Sequence, residues 1–252
     1  MAPDDDTQKR LRFIDELQLA APEQADVVGG QLMSFVEGLD LQNQQDVMNS
    51  CLLAQLAANK QFNKETQTEE WYKYYANVLE TVGWVVRTFS FDKVDNAEQS
   101  GTVDALVIDI MSNVLSGKDL DLLKRAIEAL KNSDNGLRIF NSLAKSGQQA
   151  SFSLGVCNQA SNGNVLFQIG YYYYSTNVDI TNVLFFKFVD TTVNFSQGMG
   201  GILSTRRAVK LTDTLTGNQE MELNTEVYGT VREQVLEKLG QNASDFIDNL
   251  EI

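Results

Sequence analysis

Few residues in this chain could do covalent chemistry. Its 252 residues include two cysteines, Cys51 and Cys157, and no histidine. Without histidine, neither a Ser-His or Cys-His dyad nor a zinc site with an imidazole ligand can form. This excludes most familiar hydrolase mechanisms, and we expect the protein not to be an enzyme.

Cys157 is the main candidate for a reactive residue. It lies near the end of a predicted strand, beside the polar turn 158–164, where a thiol near the surface can be acylated or oxidised. Strand alternation places it with Ser153 and Gly155, on the less apolar face. The alternative, that Cys157 only fills the core, stays open. Cys51 lies on the apolar face of a predicted helix, so we expect it to be a buried core thiol.

Two other stretches invite comparison with binding sites. Asp4, Asp5 and Asp6 form an acidic run near the start of the chain, and we expect a solvated tail there rather than a metal site. The glycine-rich stretch Gln197 to Gly201 lacks the Lys-Ser/Thr pair of a P-loop, so it is predicted to be a turn or bulge. We expect no metal ion.

The charge of the chain limits its partners. A net charge of −14 argues against nucleic acid, which binds clustered Lys and Arg, and against adsorption to anionic membranes by charge alone. Binding to lipid through apolar surface remains open. The first residues lack the apolar run of a Sec signal peptide, so we expect the protein to be cytoplasmic as synthesised. If the protein is released from the cell, we expect a route that does not use that signal.

The elements that must position these residues centre on a β-rich block, Val165 to Phe195. The stretches Ser151 to Gln159 and Val165 to Tyr174 flank Asn162-Gly163, which predicts an antiparallel hairpin. The stretch Asn182 to Asp190 is apolar on both faces, which favours a central strand covered on both sides. The sequence predicts a further strand at Trp84 to Phe91. It predicts an edge strand at Thr205 to Thr212, where basic residues would discourage pairing with another chain.

Helical periodicity accounts for most of the remaining chain. The sequence predicts an N-terminal helical extension, residues 1–65, followed by an α/β domain over residues 66–252. The predicted helices are Thr7 to Ala20, Glu23 to Glu37, Asn43 to Asn59, Thr66 to Thr81, a helical hairpin over Thr102 to Lys131, Leu137 to Ala144, and Glu226 to Leu239. The fold class is therefore α/β (α+β), with three layers and a central antiparallel sheet between helices.

The order of elements from Trp84 to Leu250 resembles the Erwinia virulence factor family and the cytolytic Cyt-type δ-endotoxins with the fungal volvatoxin. The resemblance rests on the helix pair Thr102 to Lys131, the hairpin Ser151 to Tyr174, the aromatic-rich strand Asn182 to Phe195 and the final helix. It implies a single domain with an antiparallel sheet between helical layers.

The same resemblance has functional implications. It implies a protein that binds a fatty acyl chain such as palmitate, through a cysteine thioester in the virulence factor family, or that rearranges onto membranes as the toxins do. Cys157 is the lipid attachment candidate carried over from it, with Cys51 as its competitor. It implies no cofactor other than this covalent fatty acid.

Two classes of function follow. The first is a non-enzymatic lipid-binding or membrane-active protein that resembles a virulence factor or cytolysin. The second is a protein-interaction or structural scaffold module without lipid. A covalent acyl group would distinguish them, since it adds a fixed mass that hydroxylamine removes.

Overall fold

A computed structural model describes residues 13–20, 23–64, 66–86, 92–93, 101–188 and 211–248. The helices are α1 (Leu41–Gln61), α2 (Thr68–Thr81), α3 (Val103–Met111), α4 (Gly117–Lys131), α5 (Asp134–Ala144) and α6 (Thr225–Asp248). The strands are β1 (Ile14–Leu17), β2 (Gln24–Val28), β3 (Gln31–Phe35), β4 (Trp84–Val86), β5 (Asp92–Lys93), β6 (Gly101–Thr102), β7 (Lys145–Ser146), β8 (Gln149–Gln159), β9 (Val165–Thr176), β10 (Lys187–Phe188) and β11 (Leu211–Leu223). The acidic run at Asp4 to Asp6 and the predicted turn at Gln197 to Gly201 lie outside the described residues.

One sheet organises the molecule, in the strand order β1-β2-β3-β8-β9-β11-β4. The pairs are antiparallel except β3 with β8, where Gln31 aligns with Ser153 in a parallel register. Helices cover both faces: α1, α2 and α6 lie on one side, and α3, α4 and α5 on the other. The predicted three-layer α+β architecture is confirmed.

The hairpin at the centre of the sheet is also confirmed. Strands β8 and β9 pair antiparallel from Gln149 opposite Ser175 to Gln159 opposite Val165. Gly163 adopts a φ of +87°, which a glycine reaches without strain. The side-chain amides of Asn162 and Asn164 donate to the same oxygen of Glu222, at 2.7 and 2.8 Å, and so tie the turn to β11.

The N-terminal part of the chain forms strands instead of the predicted helical extension. The described part of the predicted helix Thr7 to Ala20 contains β1, and Glu23 to Glu37 forms the hairpin β2–β3. Gly29 has a φ of +59° in the turn of that hairpin. Strand β3 is buried at every position because it lies inside the sheet. Its sequence therefore lacks the alternation of apolar and polar residues that marks a half-exposed strand. Helix α1 confirms the predicted helix at Asn43 to Asn59.

The second difference concerns the third predicted strand. Asn182 to Asp190 does not join the main sheet. Its described part contains only the two residues of β10, which pair with β6. The chain at Val183 to Phe188 is apolar on both sides because it covers the core as an irregular segment. The place beside β9 belongs to β11. For this region the sequence predicts only an edge strand at Thr205 to Thr212 and, from Thr216-Gly217-Asn218, a turn; the turn prediction is wrong, since these residues lie inside β11.

Two cores fill the space between the layers. The α1-side core packs α1, α2 and α6 on the sheet through residues that include Phe35, Trp71, Phe167 and Tyr228. The α4-side core packs α3, α4 and α5 on the opposite face around Phe152. Helix α6 continues through Gly240, where its end was predicted. The period of this helix predicts Val227, Val235 and Leu239 on its buried face. Val235 and Leu239 are buried together with Tyr228, whereas Val227 is exposed.

The apolar period of the helical hairpin α3–α4 predicts that Leu106 and Ile110 are buried, so that truncating either would lower the free energy of unfolding by about 2 to 5 kcal/mol. Both are only half-buried, and the fully buried positions on α3 are Val103, Val107 and Met111, one helical turn apart. We therefore expect Val107→Ala to lower the free energy of unfolding by about 2 kcal/mol and Leu106→Ala by about 1 kcal/mol. Urea denaturation of both variants checks the order, and a larger loss for Leu106→Ala would contradict this packing.

Candidate functional site

Both cysteines are completely buried in the α1-side core. Cys157 on β8 lies opposite Phe167 of β9, and Cys51 comes from the middle of α1. Of the two interpretations of Cys157, the near-surface position is wrong and the structure places the thiol in the core, as it does for Cys51. The face it shares with Gly155 consists of small residues because aromatic rings pack there: a Cβ on Gly155 would lie 2.5 Å from Cε2 of Phe167.

The burial of the thiols controls their protonation. Burial raises the pKa of Cys51 to about 12, although hydrogen bonds with Tyr75 and Ser50 act in the opposite direction. Burial, together with the nearby Cys51, raises the pKa of Cys157 well above its ordinary value. The thiolate is the nucleophilic form, so neither cysteine reacts readily in this conformation. Acyl attachment at Cys157 or Cys51 stays a prediction, and it requires modification before the core closes or during its opening.

An aromatic cluster surrounds the thiols. The rings of Trp71 and Tyr75 stack with centroids 5.3 Å apart, and Tyr72 meets Tyr171 edge to face at 4.6 Å. A polar chain crosses the same core, since Gln31 donates to the Tyr75 hydroxyl at 3.0 Å. The sequence of α2 predicts an aromatic stripe that packs on the sheet, and these ring contacts in the α1-side core confirm it.

A groove of about 270 Å³ opens between α1, α2 and α6, on the side of α1 away from the sheet. Four aliphatic side chains and one half-buried ring form its walls: Leu53, Leu56, Ala57, Leu239 and Tyr74. This volume lies near the lower end of the range for small-molecule pockets, a size suited to one narrow chain.

The polar rim of this groove is basic. Lys60 near the end of α1 and Lys238 on α6 line it together with Gln61, and no carboxylate residue belongs to its lining. Both lysines are exposed, and within the described ranges neither forms an ion pair. In a chain with a net charge of −14, this is a local site of positive charge beside an apolar surface. The arrangement matches a molecule with an anionic head and an apolar tail.

Sequence reasoning missed this groove because its walls come from three helices that are distant along the chain. A signal was present on α1, where Leu53, Leu56 and Ala57 form a second apolar stripe at i, i+3, i+4 spacing, beside the stripe that contains Cys51. The lysines gave no signal, since lysine on a helix surface is common.

Two features are absent from the residues that the structure describes. None of the helices in that part of the chain is long and apolar enough to cross a bilayer. The same residues contain no group of cysteine and acidic side chains arranged to hold a metal ion.

Fold and site together define a three-layer α+β domain with buried thiols and an amphiphilic surface groove. The sequence matches no protein family, and no curated protein matches it either. Among solved structures, the chain is similar to one titled δ-endotoxin, with 10% sequence identity, a TM-score of 0.44, and coverage of 83% of this chain and 86% of that chain. It is also similar to the Evf virulence factor, with 15% identity, a TM-score of 0.30, and coverage of 88% and 81%. The predicted resemblance is confirmed, and at these values it concerns only the arrangement of elements.

Proposed function

We propose that this protein is a non-enzymatic lipid-binding protein whose groove between α1, α2 and α6 binds one acyl chain with an anionic head, such as a fatty acid. The observation that carries this proposal is the combination of aliphatic walls with the basic rim of Lys60 and Lys238. The same apolar contact would support activity at membranes.

The energetics favour a single chain. Each buried methylene group contributes about 0.8 kcal/mol, so a few methylene groups against Leu53, Leu56 and Leu239 outweigh the electrostatic contribution of two exposed lysines. Salt screens exposed charges but not apolar contact. We therefore expect the affinity to fall only slightly between low and high ionic strength.

A charged residue in the groove should weaken this binding strongly. We expect Leu56→Glu to weaken the binding of a long-chain fatty acid by about tenfold or more, because it places a carboxylate against the acyl chain. Calorimetric titration measures the loss. The matched control is Leu41→Glu, which makes the same change at a residue of α1 that is 69% exposed and outside the groove. Equal affinities of the two variants would contradict the proposed site.

Covalent attachment needs a separate test. Intact-mass spectrometry of the purified protein, before and after hydroxylamine, detects a thioester-linked acyl group. We propose Cys157 as its position, with Cys51 as competitor, and the Cys157→Ser variant distinguishes them. Failure of the wild type to bind fatty acid or liposomes, with no acyl mass, would overturn the lipid-binding proposal.

That outcome would favour the alternative, an interaction module. Its support is the strand β4, which ends the sheet order in the described part of the chain, because an open strand edge can pair with another chain. Val85 on β4 is 56% exposed, and Val227 nearby is 47% exposed. Two exposed valines beside this edge would give a protein partner an apolar contact.

A further inference from the structure

The groove between α1, α2 and α6 follows one face of α1 lengthwise. The residues of α1 in its lining lie at the i, i+3, i+4, i+7 and i+8 spacing of a single helix face: Leu53, Leu56, Ala57, Lys60 and Gln61. A helix rises about 1.5 Å per residue, so this face is about 12 Å long from Leu53 to Gln61. The groove is therefore short enough for the length of a bound chain to matter.

The two ends of this face differ in polarity. Its aliphatic residues begin at Leu53, and its polar residues, Lys60 and Gln61, lie at the C-terminal end of α1. Lys238 of α6 is exposed and carries its charge on a flexible stem, so it does not set the direction of a ligand. An anionic head costs least at the polar end, and an apolar tail gains most against the aliphatic end. A bound amphiphile therefore lies with its head near Lys60 and its tail toward Leu53.

The aliphatic end of the groove is closed. The residues of α1 one and two turns before Leu53 on the same face are Asn49, Ser50 and Asp46, and all three are buried. The Ser50 hydroxyl donates to the backbone carbonyl of Asp46 at 2.7 Å. Arg232 of α6 donates to both carboxylate oxygens of Asp46, at 2.8 and 2.6 Å. A tail cannot extend past Leu53 without separating α6 from α1 at this ion pair.

The length and the volume of the groove give the same capacity. An extended chain advances about 1.2 Å per bond, as a polypeptide backbone does, so about 12 Å corresponds to about ten bonds. The volume of about 270 Å³ holds about nine groups of the size of a water molecule, at about 30 Å³ each, and a methylene group is of similar size. We propose that the groove is specific for medium-chain fatty acids, of about eight to ten carbons, and that further carbons stay in water. This inference rests on the proposed lipid-binding function.

The dependence of affinity on chain length tests this limit. The full chain is titrated by calorimetry with hexanoate, octanoate, decanoate, dodecanoate and tetradecanoate, each below the concentration at which it forms micelles. Each added methylene group should raise the affinity about fourfold up to decanoate, and the affinity should level off from dodecanoate onward. A steady rise through tetradecanoate would overturn the length limit and leave the lipid-binding function intact. Binding of none of these fatty acids would overturn both.

Two variants separate the tail end from the head end. Leu53→Trp enlarges the side chain at the closed end, so its affinity should level off from octanoate while hexanoate binds as in the wild type. Leu41→Trp makes the same change at a residue of α1 that is 69% exposed and outside the groove, and it should keep the wild-type limit.

Lys60→Gln removes a charge at the head end. It should weaken the binding of every chain by the same factor of about two, because the contact of the head does not depend on chain length. The wild-type series decides the length limit even if Leu53→Trp does not fold. A limit that folded Leu53→Trp leaves at decanoate, or a loss in Lys60→Gln that grows with chain length, would overturn the proposed direction and closed end of the groove.

Discussion

Replacing Arg232 by alanine is expected to lower the free energy of unfolding by about 3 to 5 kcal/mol, the range for breaking a buried ion pair. Arg232 on α6 donates from Nε and Nη2 to the two carboxylate oxygens of Asp46, at 2.8 and 2.6 Å. Asp46 belongs to α1 and its side chain is completely buried. Alanine would leave this carboxylate without its counter-charge and loosen α6 from α1.

A second bidentate pair provides the control. Arg125 on α4 binds Glu23 in the same fork geometry, with Nε 2.9 Å from Oε2, but its side chain is 47% exposed and that of Glu23 28%. Exposed pairs contribute about 1 kcal/mol or less, so Arg125→Ala should have a small effect. Urea denaturation of both variants measures the two losses in free energy of unfolding, and we expect the larger loss for Arg232→Ala. Similar losses would show that the burial of Asp46 does not determine the strength of its ion pair.

The elements that the sequence predicted well are those specified by local signals. Asn162-Gly163 sets the central hairpin because those residues accept positive φ, and the structure confirms the turn. The helical hairpin of α3 and α4 follows from its apolar period. At Ser116, the side chain accepts a hydrogen bond from the backbone of Asp119 and starts α4 at the predicted break.

Elements specified by distant partners were predicted poorly. Strand β11 contains Gly217, Asn218 and several charged residues, so no local signal marks it as an inner strand. Its polar side chains find partners only in the folded state: Gln219 accepts from the Tyr171 hydroxyl at 2.7 Å, and Glu222 accepts from the turn of the β8–β9 hairpin. The N-terminal hairpin was missed for a related reason, since its apolar residues face two cores and mimic a helical pattern.

The candidate site is formed by residues that are distant along the chain, so it was even harder to predict from the sequence. Cys157 was selected from its strand position, but that strand alone does not show that helices cover both faces of the sheet. The groove needs the approach of Lys238 to Leu56, and this follows from the ion pair between α6 and α1. A disrupted Arg232–Asp46 pair should therefore weaken the groove as well as the fold.

The second large effect concerns pH. Asp26 on β2 is buried, and Glu16 on β1 lies directly opposite it in the antiparallel register. Burial in the first place, then the charges of Glu16 and Asp15, raise the pKa of Asp26 from 3.8 to about 7, although a hydrogen bond from Gln24 acts in the opposite direction. The folded protein therefore holds this proton more tightly than the unfolded chain does.

The sign of the pH dependence follows from this difference. The stability gained from protonated Asp26 is fully present below about pH 4 and is lost as the pH rises through about 7. Each pH unit between the two pKa values corresponds to about 1.4 kcal/mol, so the loss is about 4 kcal/mol. Asp26→Asn keeps the hydrogen-bonding shape without the charge. We expect it to match the wild type near pH 4 and to exceed it by about 4 kcal/mol near pH 8.

Urea denaturation of the wild type and of Asp26→Asn, from pH 4 to 8, gives the free energy of unfolding of each protein. The difference between the two values isolates Asp26, because the other carboxylates titrate alike in both proteins. Glu16→Gln is the control. It removes the charge opposite Asp26 and so lowers the pKa of Asp26 in the folded protein. The difference that Asp26→Asn makes should then be smaller, with its midpoint at lower pH. A difference that stays constant across this range would mean that Asp26 titrates alike in the folded and unfolded chain. The burial of Asp26 on β2, beside β1 in the sheet, would then have no cost in charge, and the N-terminal edge of the sheet would be equally stable in acid and at neutral pH.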